Sequence, residues 1–144
     1  MHKSIAFARK TALAYAAVCK PLCHTLGLPQ TAFDILLFLA NNPDCRTASA
    51  IVELRHIKAN LVSVNVERLV QEGYLTRRTV AGDRRKTELL CTERAQPVIA
   101  QGRQLQEAFF AGLFRHTDEE MRAAFFATLD IMEKNLDAML EEAR

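Results

Sequence analysis

Between Arg77 and Lys86 the chain places five basic residues, Arg77, Arg78, Arg84, Arg85 and Lys86, against one acid, Asp83. Arginine suits phosphate and narrow, electronegative nucleic-acid grooves because its guanidinium is planar, always charged and rich in donors. An acid inside such a cluster repels phosphate, so Asp83 is better suited to orienting a neighbouring arginine. Just upstream, a helical pattern carries Val62, Val66, Leu69 and Val70 on one stripe. A 100° step then turns Asn60, Ser63, Val64, Glu67 and Arg68 outward, with Asn60, Ser63 and Val64 in the N-terminal half. Asparagine can pair bidentately with adenine, a valine methyl can pack on that of thymine, and serine suits a phosphate or a base edge. A polar-faced helix followed by a basic hairpin describes a surface able to hold duplex DNA in two grooves.

The elements that must position these residues are almost all helical. An alanine-rich helix is predicted from Lys3 to Leu26, stopped by Gly27 and bent or broken at Pro21. Thr31 is placed to cap a second helix, Ala32 to about Ala40, which Asn41-Asn42-Pro43-Asp44 ends. Thr47 caps a third with Ile51 and Leu54 inward, and the fourth runs from about Lys58 to Glu72 and ends at Gly73. Tyr74 to Val80 alternates as a strand and pairs with Lys86 to Cys91 across a turn at Ala81-Gly82-Asp83. Thr92 then caps a long helix through about Arg115, and Thr117-Asp118-Glu119-Glu120 reads as a capping box for a last helix. In that helix Met121, Phe125, Leu129, Met132, Leu136 and Leu140 recur at intervals of three and four. The expected fold is mainly α with a small β-hairpin wing.

The run from Val64 through Arg68-Leu69, Gly73, Arg77 and the Asp83-Arg84-Arg85 tip closely resembles the signature of the MarR family of winged helix-turn-helix transcription regulators. The resemblance extends from about Gly27 to the last helix. It implies a DNA-binding lobe over 28–92, a helical dimerisation lobe from 1–27 and 93–144, and a homodimer on a pseudo-palindromic site of double-stranded DNA. It also implies a repressor released by a small organic effector. Carried onto this sequence, Arg85 is the groove-reaching arginine of the wing, Arg84 and Lys86 lie near phosphates, and Arg77 is the strand arginine after the glycine. The family's ligand crevice would here involve Tyr15, Cys19, His24 and Phe33. Independently, the apolar residues of the last two helices, Phe109, Phe110, Leu113, Phe114, Phe125 and Phe126 among them, are many for one copy to hide, which also favours a dimer.

Cys19 and Cys23 stand four apart with Lys20 and His24 beside them, a setting that would favour thiolate, so a redox switch is the alternative signal. No Cys-x-x-Cys or His-x-x-x-His set accompanies them, so neither a metal nor another cofactor is expected. No nucleophile and base, phosphate loop or metal cluster points to an enzyme. A winged helix that binds only protein is the other alternative. The 144 residues, 49% of them apolar, suffice for one folded unit with a real core, and a net charge of +2 excludes indiscriminate coating of nucleic acid. The acids gather at the far end: eight lie between Asp118 and Arg144 against three basic residues. With no run near ~18 apolar residues, no signal-peptide pattern and no secreted disulfide framework, a cytoplasmic protein without a membrane partner is expected.

Overall fold

The computed structural model describes residues 2–144. Among these residues are six α-helices and one two-stranded antiparallel sheet, as the periodicities require. The chain divides into two compact units, Met1–Phe109 and Phe110–Arg144.

In the first unit, α1 (His2–Leu26) runs unbroken through Pro21 and stops at Gly27, whose φ of 65° favours glycine. The expected break does not occur because a proline this near the helix end forfeits a single backbone bond, while Cys19 and Cys23 stay buried on either side of it. Helix α2 (Gln30–Asn41) starts one turn position earlier than Thr31 would set it. Its N-cap is Pro29, with the extended ψ of 150° that a cap needs and no side-chain bond. Ala32, Phe33, Ile35, Leu36, Leu37 and Leu39 are all buried, so α2 is apolar almost all round and forms the centre of the core. Helix α3 (Ala48–Arg55) begins at Thr47, whose hydroxyl oxygen accepts from the Ala50 amide at 3.1 Å. His56, left-handed at φ 51°, turns the chain into α4 (Ala59–Gln71).

Helix α4 buries Val62, Asn65, Val66 and Leu69. Its buried amide is satisfied locally, Asn65 Nδ2 donating to the Leu61 carbonyl at 2.8 Å. Strand β1 (Leu75–Val80) pairs with β2 (Asp83–Cys91), which begins three residues earlier than the apolar pattern marks. The Leu89 amide donates to the Arg46 carbonyl at 2.7 Å, tying the hairpin to the segment before α3. Thr92 takes the N-cap position of a 3-10 turn ahead of the long helix, with extended backbone and no side-chain cap bond. Its hydroxyl donates to the Gly73 carbonyl at 2.6 Å, and the short turn (Glu93–Ala95) precedes α5 (Gln96–Leu113). Gly102 of α5 lies where an added Cβ would stand 2.8 Å from Leu37, so α5 and α2 approach closely there.

The second unit holds α6 (Glu119–Glu142). Its cap is Asp118, whose carboxylate accepts from the Met121 amide at 2.8 Å; Thr117 donates its hydroxyl backwards to the Phe114 carbonyl and takes no part in a capping box. Phe114, Phe125 and Phe126 form a trio of rings 5.4 to 5.6 Å apart. No residue of α6 is buried. No single helix among the described residues is long and apolar enough to cross a membrane.

One charge sits badly in the first unit. Asp34 of α2 is mostly buried, 3.9 Å from Arg55 at the end of α3, and burial lifts its carboxyl from the ordinary 3.8 to about 6, partly opposed by Arg55. The folded protein thus binds the Asp34 proton more tightly than the unfolded chain. Its contribution favours folding most below pH ~4 and is lost as pH rises through ~6. Asp34→Asn should be more stable than wild type by about 1–3 kcal/mol at pH 7.5 and gain nothing at pH 4. Urea unfolding at the two pH values checks this, and a variant less stable than wild type at pH 7.5 would refute it.

Candidate nucleic-acid interface

The outward face of α4 follows from what α4 buries. With Val62, Val66 and Leu69 in the core, Asn60, Ser63, Val64, Glu67 and Arg68 are all exposed. The side chains of Asn60 and Ser63 have no hydrogen-bond partner among the described residues. The two charged members differ. Glu67 accepts from Arg77 of β1 at 2.7 Å and from Gln71 at 3.3 Å, and Arg77 holds its carboxyl below the usual carboxylate range. Arg68 donates to the Gly27 carbonyl at 2.8 Å and to Glu72 at 3.1 Å. Arg68 thus braces α4 against the end of α1, and Arg77 braces α4 against the wing. An exposed pair such as Glu67–Arg77 adds little to stability, but it fixes where two side chains point.

In the wing, β1 and β2 keep one register from Leu75 opposite Cys91 to Thr79 opposite Thr87; Val80 then pairs with Asp83. Arg84, Arg85 and Lys86 are left over on β2 as a bulge, and Gly82, at φ 87°, makes the turn. The cations of the tip are therefore gathered where the ladder gives way. Asp83 accepts from the Arg85 backbone amide at 2.9 Å, so its effect on Arg85 is exerted through the main chain. Arg85 and Lys86 are exposed, without an ion-pair partner among the described residues. The Arg84 side chain lies outside the described residues. Arg78 is paired across the strands with Glu88. The helix-to-wing gap is a cleft of 450 Å³ reached by Ser63, Val66, Arg77 and Thr87.

Two exposed residues escaped the residue-type argument. Lys58 is the N-cap of α4 and offers no side-chain cap bond, and Leu61, 45% exposed, flanks Asn60. The signal for Leu61 was present, since a 100° step from Asn60 puts it at the margin of the buried stripe.

Of the four residues expected to form a ligand crevice, Tyr15 and Cys19 interact directly and pack with Phe33 in the core, while His24 stands apart on the exposed side of α1. Cys19 and Phe33 are fully buried in the core, and Tyr15 is half-buried, accepting from Gln106 Nε2 at 3.1 Å with its ring 5.2 Å from Phe109. Only His24 lines the open hollow of 1020 Å³ beside α1, together with Lys20, Cys23, Gly27 and Gln30. Burial pushes the Cys23 thiol up to about 11 and raises that of Cys19, and it lifts the Tyr15 hydroxyl to about 12. Lys20 and His24 do not make these cysteines thiolates, because both are exposed while the thiols face the core. Among the described residues no group of three His, Cys, Asp or Glu is placed to hold a metal ion.

Residues 26–86 match the MarR family model. No curated protein sequence matches the chain. Solved structures share the fold. A MarR transcriptional regulator from Methanosarcina mazei Go1 is 21% identical with a TM-score of 0.74, the match covering 96% of each chain. The transcriptional regulator PA3341 is 25% identical at a TM-score of 0.79, covering 92% of this chain and 97% of its own. A MarR family transcriptional regulator from Listeria monocytogenes, complexed with 26mer DNA, is 16% identical at 0.79, covering 94% and 88%.

The burial of the two α1 cysteines has a direct consequence. In the folded protein at pH 7.5, iodoacetamide should label Cys19 and Cys23 about tenfold or more slowly than in urea, because little thiolate is present and access is closed. Peptide mass spectrometry of a labelling time course would show it. Equal rates in the folded and unfolded protein would restore the redox alternative.

Proposed function

From a chain that carries the MarR family's winged helix over residues 26–86, in the fold of MarR transcriptional regulators, we propose a sequence-specific DNA-binding regulator that acts as a homodimer. The observation that carries the reading is the pairing of two exposed surfaces on one unit: the unpartnered polar face at the start of α4, and a wing tip whose Arg85 and Lys86 are without ion-pair partners. Helix α4 enters the major groove with Asn60, Ser63 and Val64 toward the bases, while Arg85 reaches into the adjacent minor groove. Lys86 and Arg84 meet phosphates, as does Lys58 beside the helix start. Arg77 and Arg68 hold the reading helix to the wing and to α1. The related Listeria regulator complexed with DNA supports the assignment.

The dimer rests on α1, α5 and α6. Met121, Phe125, Leu129, Met132, Leu136 and Leu140 remain exposed along one stripe of α6, and Ile5, Phe7 and Leu13 are exposed on α1. Apolar stripes of this length need a partner, and a second copy presents two reading heads to a palindromic site. As a repressor the dimer would occupy its operator until a small organic effector changes the spacing of those heads. The hollow beside α1 is the place for leverage, since Gly27 on its wall accepts from Arg68 of α4.

Two measurements test this. Arg85→Ala should weaken binding to all duplexes and lower the slope of log affinity against log salt by about 1, whereas Asn60→Ala should cost about 1–3 kcal/mol and relax preference at one base position per half-site. Affinities unchanged within a factor of two in both variants would exclude this reading surface. Leu136→Glu should give monomers in sedimentation at micromolar concentration, with Phe125→Glu less informative because its ring also packs on Phe114 and Phe126. A wild-type monomer under the same conditions would exclude the dimer.

A further inference from the structure

The inner half of the reading helix is without charge. From Ala59 to Val66 no side chain is ionisable, and the first two charges, Glu67 and Arg68, are engaged by Arg77 and Gly27. What this stretch presents instead is an amide, a hydroxyl and two branched apolar groups. Val64 is 67% exposed, more than any other large apolar residue described, and Leu61 beside it is 45% exposed. Neither joins the buried core. Water is a poor neighbour for such groups, and their cover must come from whatever the helix docks against.

Guanine is read in the major groove by a bidentate arginine or lysine, and this stretch offers neither. Adenine is read by asparagine, which it does offer in Asn60. The apolar group that the major groove displays is the C5 methyl of thymine. We infer that Val64, with Leu61 at its flank, reads thymine methyl groups, so that the base pairs beneath α4 in each half-site are A·T pairs with their methyls turned toward these two side chains. The occupant is fixed by complementarity: an uncharged, partly apolar face meets the one base pair with an apolar edge, while the wing tip supplies the cationic contact to the backbone. This rests on the DNA-binding reading and specifies what that surface recognises.

The test removes one methyl at a time. Duplexes selected by the purified protein from a random pool are resynthesised with deoxyuridine in place of single thymines, which deletes the methyl and leaves base pairing intact. Wild type should lose about 3- to 5-fold in affinity per methyl at one or two positions in each half-site, the worth of one buried carbon. Val64→Ala should bind the thymine duplex more weakly and show no thymine-to-uracil difference at one of those positions. Leu61→Ala should do the same at a neighbouring one. Because both side chains are exposed, the variants keep the fold, which circular dichroism confirms, and the double-mutant comparison cancels any general change of duplex shape. Tight, salt-dependent binding to selected duplexes in which no uracil substitution changes affinity, or in which G·C pairs occupy the positions under α4, overturns methyl reading while leaving DNA binding intact. Absence of salt-dependent binding to any duplex overturns both.

Discussion

The outward face of α4 depends on the burial of one stripe of that helix against α2. Val62, Val66 and Leu69 have nowhere else to go, because α2 is itself buried on nearly every side and can accept no water in their place. That single rotational choice decides that Asn60, Ser63 and Val64 face out. A slip of one residue, a 100° turn, would draw Ser63 and Glu67 inward and turn Leu69 out in one sense, or draw Arg68 inward and turn Val66 out in the other, exchanging the chemistry of the surface at a cost of several broken contacts.

The remaining freedom of α4 is removed by polar links at its far end. Arg68 reaches Gly27, Glu67 holds Arg77, and the Thr92 hydroxyl secures the Gly73 carbonyl at the point where helix gives way to strand. Each link is individually weak, being exposed or short of burial, yet together they join helix, wing and the end of α1 into one piece. The consequence is a separation of roles among arginines. Arg68, Arg77 and Arg78, at the base of the wing, are matched by protein acceptors, and Arg85 at the tip is exposed.

How much of this was legible in the sequence varied with the range of the interaction. The helices, the hairpin and the exposed face of α4 follow from periods of 3.6 and 2, which are local and strong. Caps were less legible: Thr31 and Thr117 are good capping types, but Pro29 and Asp118 stand where the backbone turns. Arg68 lies outward on a helical wheel, yet its long side chain returns to a carbonyl 41 residues away, a contact no window contains. The cysteines show the same limit from the other side. Their sequence neighbours are cations, but their spatial neighbours are core side chains, and desolvation governs the thiol. Phe33 and Cys19 are drawn from a proposed crevice into the core for the same reason.

The slipped register of the hairpin separates two kinds of change. Pairing is uniform from Leu75 opposite Cys91 to Thr79 opposite Thr87, and Leu89, anchored to Arg46, lies below the slip. Beyond it the chain owes the ladder almost nothing, so residues 81 to 86 can be lengthened, shortened or exchanged without altering which faces of the lower strands point inward. The wing is thus a module with a fixed mechanical root and an editable end. The charge and reach that the tip presents can therefore drift by substitution there alone, while the outward face of α4 below remains in place.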